Sequence, residues 1–354
     1  MPLLARTLSA PLFVDIRRGA VEDLPGILAD SRAVSSGAVA VAVGKTLGAE
    51  IEGIIGSLLP DATVLKVKGG SHKAAVKLAR KVQESSAEAI VAIGGGGTID
   101  VAKYAAGLIG LPSVAVATTL THDGLASPVA VLEQKGFMGS YGVPMPIGVV
   151  VDLDFVERSP SRHTRSGIGD AVSNLSAVKD WELARDANGD RLDGMATAIA
   201  RNAGQAVLTS PHPSESDHFL VTLADSLILS GFAMSVAGSS RPCSGAEHEI
   251  SHAINALYPN ESLHGETVSV GTMFAESLRG YGSIDQVDTC FRSRGLPRVP
   301  ADLGLSVDEF KAVVAYAPSM RPGRYTLLEH LAMSELEISR RVDEFVERFD
   351  VPSG

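Results

Sequence analysis

The first 150 residues alternate short apolar runs with stretches in which apolar residues recur every three to four positions. Short continuous apolar runs are typical of strands buried on both faces of a parallel sheet, and the second pattern is typical of helices. The predicted strands are Ala38–Val43, Thr63–Val67, Ala89–Ile93, Ser113–Ala117 and Gly148–Val151. The predicted helices between them are Leu47–Leu59 and Ser71–Gln83, the latter with Ser71 as its N-cap. This alternation predicts an α/β domain with a parallel sheet.

After about residue 160 the apolar spacing becomes helical throughout, and strand patterns nearly vanish. In Asp217–Ala237, for example, Leu220, Leu223 and Leu227 recur at threes and fours. The other predicted helices are Ile168–Arg185, Met195–Val207, Glu247–Leu257, Glu266–Arg279, Val307–Tyr316 and Ser334–Phe349. We therefore predict two domains, an α/β domain over residues 1–160 and an all-α domain over residues 161–354.

Composition narrows the class of protein. The net charge of −10 argues against a general nucleic-acid or membrane-surface role. No apolar run is expected to approach the roughly 20 residues that span a membrane. The N-terminal segment, interrupted by Arg6 and Arg17, lacks the apolar core of a signal peptide. Cys243 and Cys290 form no C-x-x-C pair and fit a reducing compartment. We expect a cytoplasmic protein with neither nucleic-acid nor membrane partners.

A segment that begins with four glycines, Gly94–Asp100, follows a predicted strand and opens a helix. Glycine lets a pyrophosphate approach the backbone, and the helix N-terminus offers free N–H groups to it. The spacing is not G-x-G-x-x-G, so a tight turn without a ligand remains an alternative. No acidic residue follows Ala38–Val43 to bind a ribose hydroxyl, whereas Lys45 there can accept a 2′-phosphate or merely be solvated. Both NADH and NADPH are therefore compatible with this segment.

Three segments of the second half hold candidate metal ligands. Asp170 lies in GIGD, His248 and His252 lie in HEISH, and His264 lies in LHGE. One carboxylate and two imidazoles would leave an open coordination position, as catalytic zinc requires. His248 and His252 are four residues apart and share one helical face.

The string HEISH also matches H-E-x-x-H, the metalloprotease signature. In that interpretation both histidines bind zinc, Glu249 is the general base and Glu276 is a more distant third ligand. The metzincin continuation fails because Asn255 and Tyr258 stand at its positions. A further alternative is that these histidines only cap or pack helices.

Five motifs in order resemble one known family. They are GGGGTIDVAK (Gly94–Lys103), TTLTHDGLASP (Thr118–Pro128), GIGDAVSN (Gly167–Asn174), SSRPCSGAEHEISHA (Ser239–Ala253) and LHGETVSVG (Leu263–Gly271). The first resembles the phosphate loop of the iron-alcohol dehydrogenase, glycerol dehydrogenase and dehydroquinate synthase superfamily. Together the five resemble the sn-glycerol-1-phosphate dehydrogenase family. The resemblance implies a dehydroquinate synthase-like fold, with an N-terminal NAD(P)-binding α/β domain and a C-terminal all-α metal- and substrate-binding domain.

The resemblance also implies roles for individual residues. The implied metal ligands are Asp170, His248 and His264. The implied substrate-contacting residues are Asp123 and His252, both also candidate catalytic residues, together with Asp170. The implied cofactor contacts are Gly94, Gly95, Gly96, Gly97, Thr98, Asp100, Thr118, Thr119, Thr121 and Ser127. Gly97 stands where many members of the family have lysine.

The implied reaction is reversible reduction of dihydroxyacetone phosphate to sn-glycerol 1-phosphate by NAD(P)H. A divalent metal polarises the ketone, and the alkoxide gains a proton from His252 and water or through Asp123. Zinc suits the ligand set, while nickel, iron or manganese also fit it. The phosphate needs a cation, for which Arg241 after Ser239 and Ser240 is the candidate. A structural salt bridge is the alternative role for Arg241.

Two other enzyme classes remain compatible with the motifs. One is a related dehydrogenase for another polyol or phosphorylated ketone, and the other is a sugar-phosphate cyclase of the dehydroquinate synthase type. The GIGD and SSRPCSGAEH strings favour the dehydrogenases. In each case we expect a small-molecule substrate and a homo-oligomeric enzyme.

Overall fold

A computed structural model describes residues 8–30, 38–46, 48–259, 261–280 and 282–350. The chain forms two compact units. The first contains the described residues up to Ser161 together with Leu227–Val236. The second contains Arg162–Ser226 and the described residues from Ala237 onward.

The first unit is built on a six-stranded sheet in which every pairing is parallel. The strands of this unit, in chain order, are β1 (Phe13–Arg17), β2 (Val39–Val43), β3 (Thr63–Lys66), β4 (Ala89–Gly94), β5 (Ser113–Ala117), β6 (Val129–Gln134), β7 (Phe137–Gly142) and β8 (Gly148–Asp152). Strands β6 and β7 are not part of the sheet and form a separate antiparallel hairpin. The order across the sheet is β1-β8-β5-β4-β2-β3. Every residue of β2, β4, β5 and β8 is buried, as the continuous apolar runs predict.

Five helices accompany these strands. They are α1 (Leu24–Asp30), α2 (Gly48–Leu58), α3 (His72–Gln83), α4 (Gly96–Ile109) and α5 (Leu153–Arg158). Ser71 is the N-cap of α3, because its hydroxyl accepts a hydrogen bond from the Ala74 N–H at 3.2 Å. The four central strands end at one edge of the sheet, and α4 begins there directly after β4. The glycine run therefore lies at the carboxyl edge, where ligands bind in open parallel sheets.

The second unit is helical. Its helices, including one that continues into the first unit, are α6 (Ser161–Asn188), α7 (Gly194–Leu208), α8 (Asp217–Ala237), α9 (Ala246–Leu257), α10 (His264–Arg279), α11 (Ser283–Arg294), α12 (Val307–Tyr316), α13 (Leu327–Leu331) and α14 (Glu335–Phe349). No strand follows Asp152 among the described residues. Phe274, Phe310 and Phe345 contact one another in the core of this unit, with ring centroids 5.3 to 6.4 Å apart. An α/β part followed by a helical part confirms the predicted fold class.

Helix α8 corrects one expectation. It is 21 residues long and, within the described ranges, is the one helix long and apolar enough to span a membrane. The expectation that no apolar run would approach that length was therefore wrong. In this helix 67% of the apolar window is buried inside the protein, as in a core helix. Gly231 explains part of that burial, because a Cβ there would overlap the backbone of Ala126 and Ser127.

Candidate active site

Three helices of the second unit bring the predicted metal ligands together. Asp170 lies within α6, His248 in the first turn of α9, and His264 is the first residue of α10. Glycines next to two of these ligands permit close helix contact. A Cβ on Gly169 would overlap the carbonyl of Gly265, and a Cβ on Gly265 would overlap the carbonyl of Ser166. The glycines of GIGD and LHGE thus allow His264 to approach Asp170.

The three ligand atoms lie within 4.8 Å of one another. His264 Nε2 is 3.4 Å and His248 Nε2 is 3.8 Å from Asp170 Oδ1. Burial alone would raise the pKa of Asp170, but contacts with both imidazoles hold the pKa of this carboxyl well below its usual range. One carboxylate and two imidazoles are a ligand set that fits a divalent cation.

Glu247 holds His248 from the side facing away from this cluster. His248 Nδ1 donates to Glu247 Oε1 at 3.0 Å, and the Glu247 side chain is fully buried. A carboxylate on the outer nitrogen fixes the ring so that its other nitrogen faces the metal position. Despite burial, Asp170 and Glu247 raise the pKa of His248 to about 9, so a proton occupies the ring until a cation displaces it. Glu247 was not among the residues predicted from the sequence, although its position next to His248 is the signal that points to it.

His252 lies one turn further along α9 and outside the three-ligand group. Its ring centroid is 6.5 Å from those of His248 and His264. Arg321 Nη2 donates to His252 Nε2 at 2.9 Å, which places the ring proton on Nδ1. Burial and then Arg321 hold the pKa of His252 well below its usual value. His252 is therefore a neutral imidazole beside the ligand group.

The two carboxylates of the metalloprotease interpretation have other partners. Glu249 is buried and accepts a hydrogen bond from Thr326 Oγ1 at 3.0 Å. Burial and then Glu329 raise the pKa of Glu249 to about 9. Glu276 forms an ion pair with Lys179 at 2.6 Å. This geometry lacks both the paired histidine ligands and the solvated general base that the protease requires.

Arg241, the predicted phosphate ligand, has two protein partners. Its Nη2 is 2.5 Å from Asp190 Oδ2, and its Nη1 donates to the carbonyl oxygen of Tyr325 at 2.9 Å. The salt bridge to Asp190 neutralises its charge. A phosphate contact by Arg241 stays a prediction.

In the first unit, the glycine run forms the turn from β4 into α4. Gly95 is the N-cap of α4 and makes no side-chain capping bond, so the first N–H groups of the helix are left for a ligand. A Cβ on Gly97 would meet nothing within 4 Å. The His122 ring lies against Gly96, where a Cβ would overlap its Nε2, so the helix start is uncapped but covered on that side. An uncapped helix start fits the pyrophosphate of a dinucleotide.

The segment after β5 runs beside this turn. The Thr118 N–H donates to the Gly94 carbonyl at 3.1 Å, and a Cβ on Gly95 would lie 3.0 Å from Thr119 Oγ1. Asp123 begins a short 3-10 helix, Asp123–Leu125. Thr118 and Thr119 thus flank the glycine turn, and cofactor contacts by these two residues and by Thr121 and Ser127 stay predictions.

Asp100 supports this segment from α4. Its Oδ1 is 2.9 Å from Lys103 Nζ, and its Oδ2 accepts from the Val131 N–H at 3.1 Å. Both charged side chains are almost fully buried, at 1% and 3% exposure. Lys103 Nζ donates to three backbone carbonyls of the segment, those of Gly124, Ser127 and Val129. Asp100 and Lys103 therefore anchor the segment, while direct cofactor contact by Asp100 stays a prediction.

Known proteins that are similar to this chain indicate its fold and its family. The sequence profile described as iron-containing alcohol dehydrogenase matches residues 15–160. Among solved structures, the chain is similar to a probable glycerol dehydrogenase from Sinorhizobium meliloti, with a TM-score of 0.77, 23% identity and coverage of 98% of this chain and 99% of that one. The glycerol dehydrogenase from Schizosaccharomyces pombe has a TM-score of 0.76 at 21% identity, with coverage of 99% and 94%. These likenesses establish the fold.

Relatives identified by sequence similarity indicate the family more specifically than the solved structures do. A protein from Methanosarcina mazei is 31% identical over 350 residues, which is 97% of both chains. One from Thermofilum pendens is 34% identical and covers 92% of this chain and 94% of its own. One from Archaeoglobus fulgidus is 35% identical, with coverage of 73% and 75%. All three are named glycerol-1-phosphate dehydrogenase (NAD(P)+). With this identity over nearly the whole length, the chain belongs to the glycerol-1-phosphate dehydrogenase family.

Proposed function

We propose that the protein reduces dihydroxyacetone phosphate to sn-glycerol 1-phosphate, reversibly, with NADH or NADPH. The observation that carries the proposal is the group of Asp170, His248 and His264, whose ligand atoms lie within 4.8 Å in a member of this family. The family name supplies the substrate and the nucleotide, and the ligand group supplies a place for the metal that the reaction uses.

Asp170, His248 and His264 would hold the metal, with zinc the ion that best suits the set. When bound, a divalent cation supplies Lewis-acid polarisation of the ketone oxygen. Asp170 supplies the single negative charge among the ligands, and Glu247 keeps His248 oriented. The His264 side chain is 34% exposed, so the three-ligand group has an open side for substrate.

Proton transfer involves the protein's own residues. Because Nε2 of His252 accepts from Arg321, its exchangeable proton is on Nδ1. A neutral imidazole would have to become an imidazolate to release this proton, so Nδ1–H instead donates a hydrogen bond that would hold a water molecule. That water would supply the proton to the developing alkoxide and recover one from solvent. Asp123 is the second candidate for this relay, on the segment anchored by Lys103.

The glycine turn, Gly94–Gly97, and the segment 118–127 would bind the cofactor. The uncapped start of α4 receives the pyrophosphate. The sheet edge offers no acidic residue after β2, and Lys45 stands there, so we propose that NADPH is accepted alongside NADH. We further propose a cytoplasmic homo-oligomer without nucleic-acid or membrane partners.

The test is the loss of NADH or NADPH absorbance on addition of dihydroxyacetone phosphate. We expect one nucleotide oxidised per ketone reduced, with sn-glycerol 1-phosphate as product by chiral analysis. Chelation should abolish turnover, and added zinc should restore it. A cyclase would regenerate its nucleotide and show no net loss. Turnover of unphosphorylated ketones alone would instead indicate a glycerol dehydrogenase.

A further inference from the structure

We infer that Arg321 and Arg324, joined by Ser240, form the subsite that binds the phosphate monoester of the substrate. The inference deepens the proposed function and rests on it. Neither arginine was a candidate on sequence grounds; the folded chain places both beside His252.

The two guanidinium groups converge on one hydroxyl. Arg321 Nη1 donates to Ser240 Oγ at 3.3 Å, and Arg324 Nη2 donates to the same atom at 3.0 Å. A hydroxyl has two acceptor positions and one donor hydrogen. Both acceptor positions of Ser240 are thus used, and its hydrogen is left to donate outward. The cluster therefore presents only donors to any ligand.

Most of the donors of the arginines are unused. Arg321 otherwise donates to His252, and Arg324 otherwise donates to the Ser244 carbonyl. Each side chain thus makes two hydrogen bonds with described residues, whereas a guanidinium carries five N–H groups. About three donors per arginine remain in a fork geometry that matches phosphate oxygens. Both side chains are half-buried, so a ligand can reach them.

The charge of the pair is uncompensated at close range. Within the described part of the chain, neither arginine has a carboxylate oxygen within 4.0 Å, whereas the nearby Arg241 is paired with Asp190. Burial lowers the pKa of both arginines, and the neighbouring positive charges of Arg321 and Arg241 lower that of Arg324 further, to about 10. The more distant carboxyls of Glu249 and Glu247 act in the opposite direction on both arginines without reversing the shift. Two half-buried cations that share one hydroxyl repel each other, and a dianion between them would remove that cost.

The position of the pair suits a short substrate. Arg321 contacts His252, and the ring of His252 lies 6.5 Å from the rings of His248 and His264. A single side chain therefore separates the arginine pair from the metal ligands. A phosphate group bound at this distance would orient the reacting carbonyl. Loss of the phosphate contact should therefore lower kcat as well as raise KM.

The experiment compares Arg321→Gln, Arg324→Gln and Arg324→Lys with Arg241→Gln and with Arg340→Gln, an exposed arginine of α14 paired with Glu344. For each protein, kcat/KM is measured with dihydroxyacetone phosphate and with dihydroxyacetone. We expect Arg324→Gln to lower the value for the phosphorylated ketone about 10- to 100-fold, with a few-fold change for the other ketone. Arg321→Gln should lower both values, because Arg321 also fixes the proton of His252, and should lower the value for the phosphorylated ketone about 10-fold or more beyond that shared loss. Arg324→Lys should recover part of the loss, and Arg340→Gln should match wild type.

A binding measurement separates this inference from the proposed function. Inorganic phosphate titrated calorimetrically into the zinc-loaded wild type should bind, and binding should weaken about 10-fold or more in Arg324→Gln. Zinc content and melting temperature of each variant check that it is folded. If wild type reduces neither ketone yet phosphate binding depends on Arg324, the proposed function fails and the anion subsite stands.

Three results would overturn the inference. Equal losses on both ketones would make the pair a support for His252 and not a phosphate site. An unchanged ketone preference in the pair variants, with the preference lost in Arg241→Gln, would place the phosphate at Arg241. A change confined to the ratio of kcat/KM with NADPH to kcat/KM with NADH would mean that the arginines bind the 2′-phosphate of the nucleotide.

Discussion

Arg321 donates a hydrogen bond to His252 Nε2 at 2.9 Å, and this contact separates His252 from the three metal ligands next to it. In the H-E-x-x-H interpretation His252 would be a ligand, whereas here its Nε2 is already occupied. His252 is thus set apart as a proton-carrying imidazole and His264 takes its place among the ligands.

The first prediction follows from this division of roles. His264→Ala should lose both zinc and activity, because two ligands do not make a stable site. His252→Ala should retain zinc but lose roughly 10²- to 10⁴-fold in kcat, the usual contribution of a positioned acid–base group. Zinc per chain is measured by atomic absorption after desalting, alongside kcat. An empty site in His252→Ala with an occupied one in His264→Ala would revive the zincin interpretation.

The second prediction concerns Glu247. Glu247→Gln keeps the shape of the side chain but weakens its hold on the His248 ring, so zinc affinity should fall about 10- to 100-fold. The dissociation constant is measured by competition with a chelator of known affinity. Glu344→Gln, at an exposed position on α14, is the matched control and should bind zinc as wild type does. Identical affinity in Glu247→Gln would show that backbone packing alone orients His248.

Local patterns identified the elements whose burial is uniform. Strands β4 and β5 were predicted because each is a continuous apolar run, and each is buried at every residue. Strand β1 and the β6–β7 hairpin were missed because their residues alternate in burial or face solvent, as Phe137 does at 79% exposure. Helix α11 was missed because polar and charged residues occupy eight of the twelve positions of its sequence, SIDQVDTCFRSR.

Some residues of the candidate site could likewise be predicted from the sequence, and others could not. Asp170, His248 and His264 stand in motifs with recognisable neighbours, so sequence alone proposed them and the fold brings them together. Arg321 and Arg324 lie in a Pro- and Gly-containing turn without periodicity, some 80 residues beyond Ser240. Only the folded chain joins them to that hydroxyl. Likewise, nothing in the sequence pairs Arg241 with Asp190, so the phosphate contact predicted for Arg241 took no account of this ion pair.

The third prediction concerns the buried ion pair of the first unit. Lys103→Met removes the cation that holds Asp100 and three carbonyls of the segment 124–129. An uncompensated buried charge should destabilise the protein by about 3–5 kcal/mol. Urea unfolding measures the change, and the double variant with Asp100→Asn should recover part of it, because it removes the stranded charge. If Lys103→Met unfolds at the wild-type urea concentration, the pair has no anchoring role.

The fourth prediction concerns Gly265, which stands beside His264. Gly265→Ala places a Cβ against the Ser166 carbonyl, where backbone, not a flexible side chain, must move. Overpacking of this kind should destabilise the protein by about 1–3 kcal/mol and displace the start of α10, so zinc affinity should fall as well. Gly56→Ala is the control, because a Cβ there meets nothing within 4 Å and lies inside α2, where alanine stabilises by about 0.5–1 kcal/mol. Unfolding free energy and zinc dissociation constant are measured for both variants. A Gly265→Ala protein with wild-type zinc affinity would mean that α10 can shift without moving His264, and that the glycine serves packing alone.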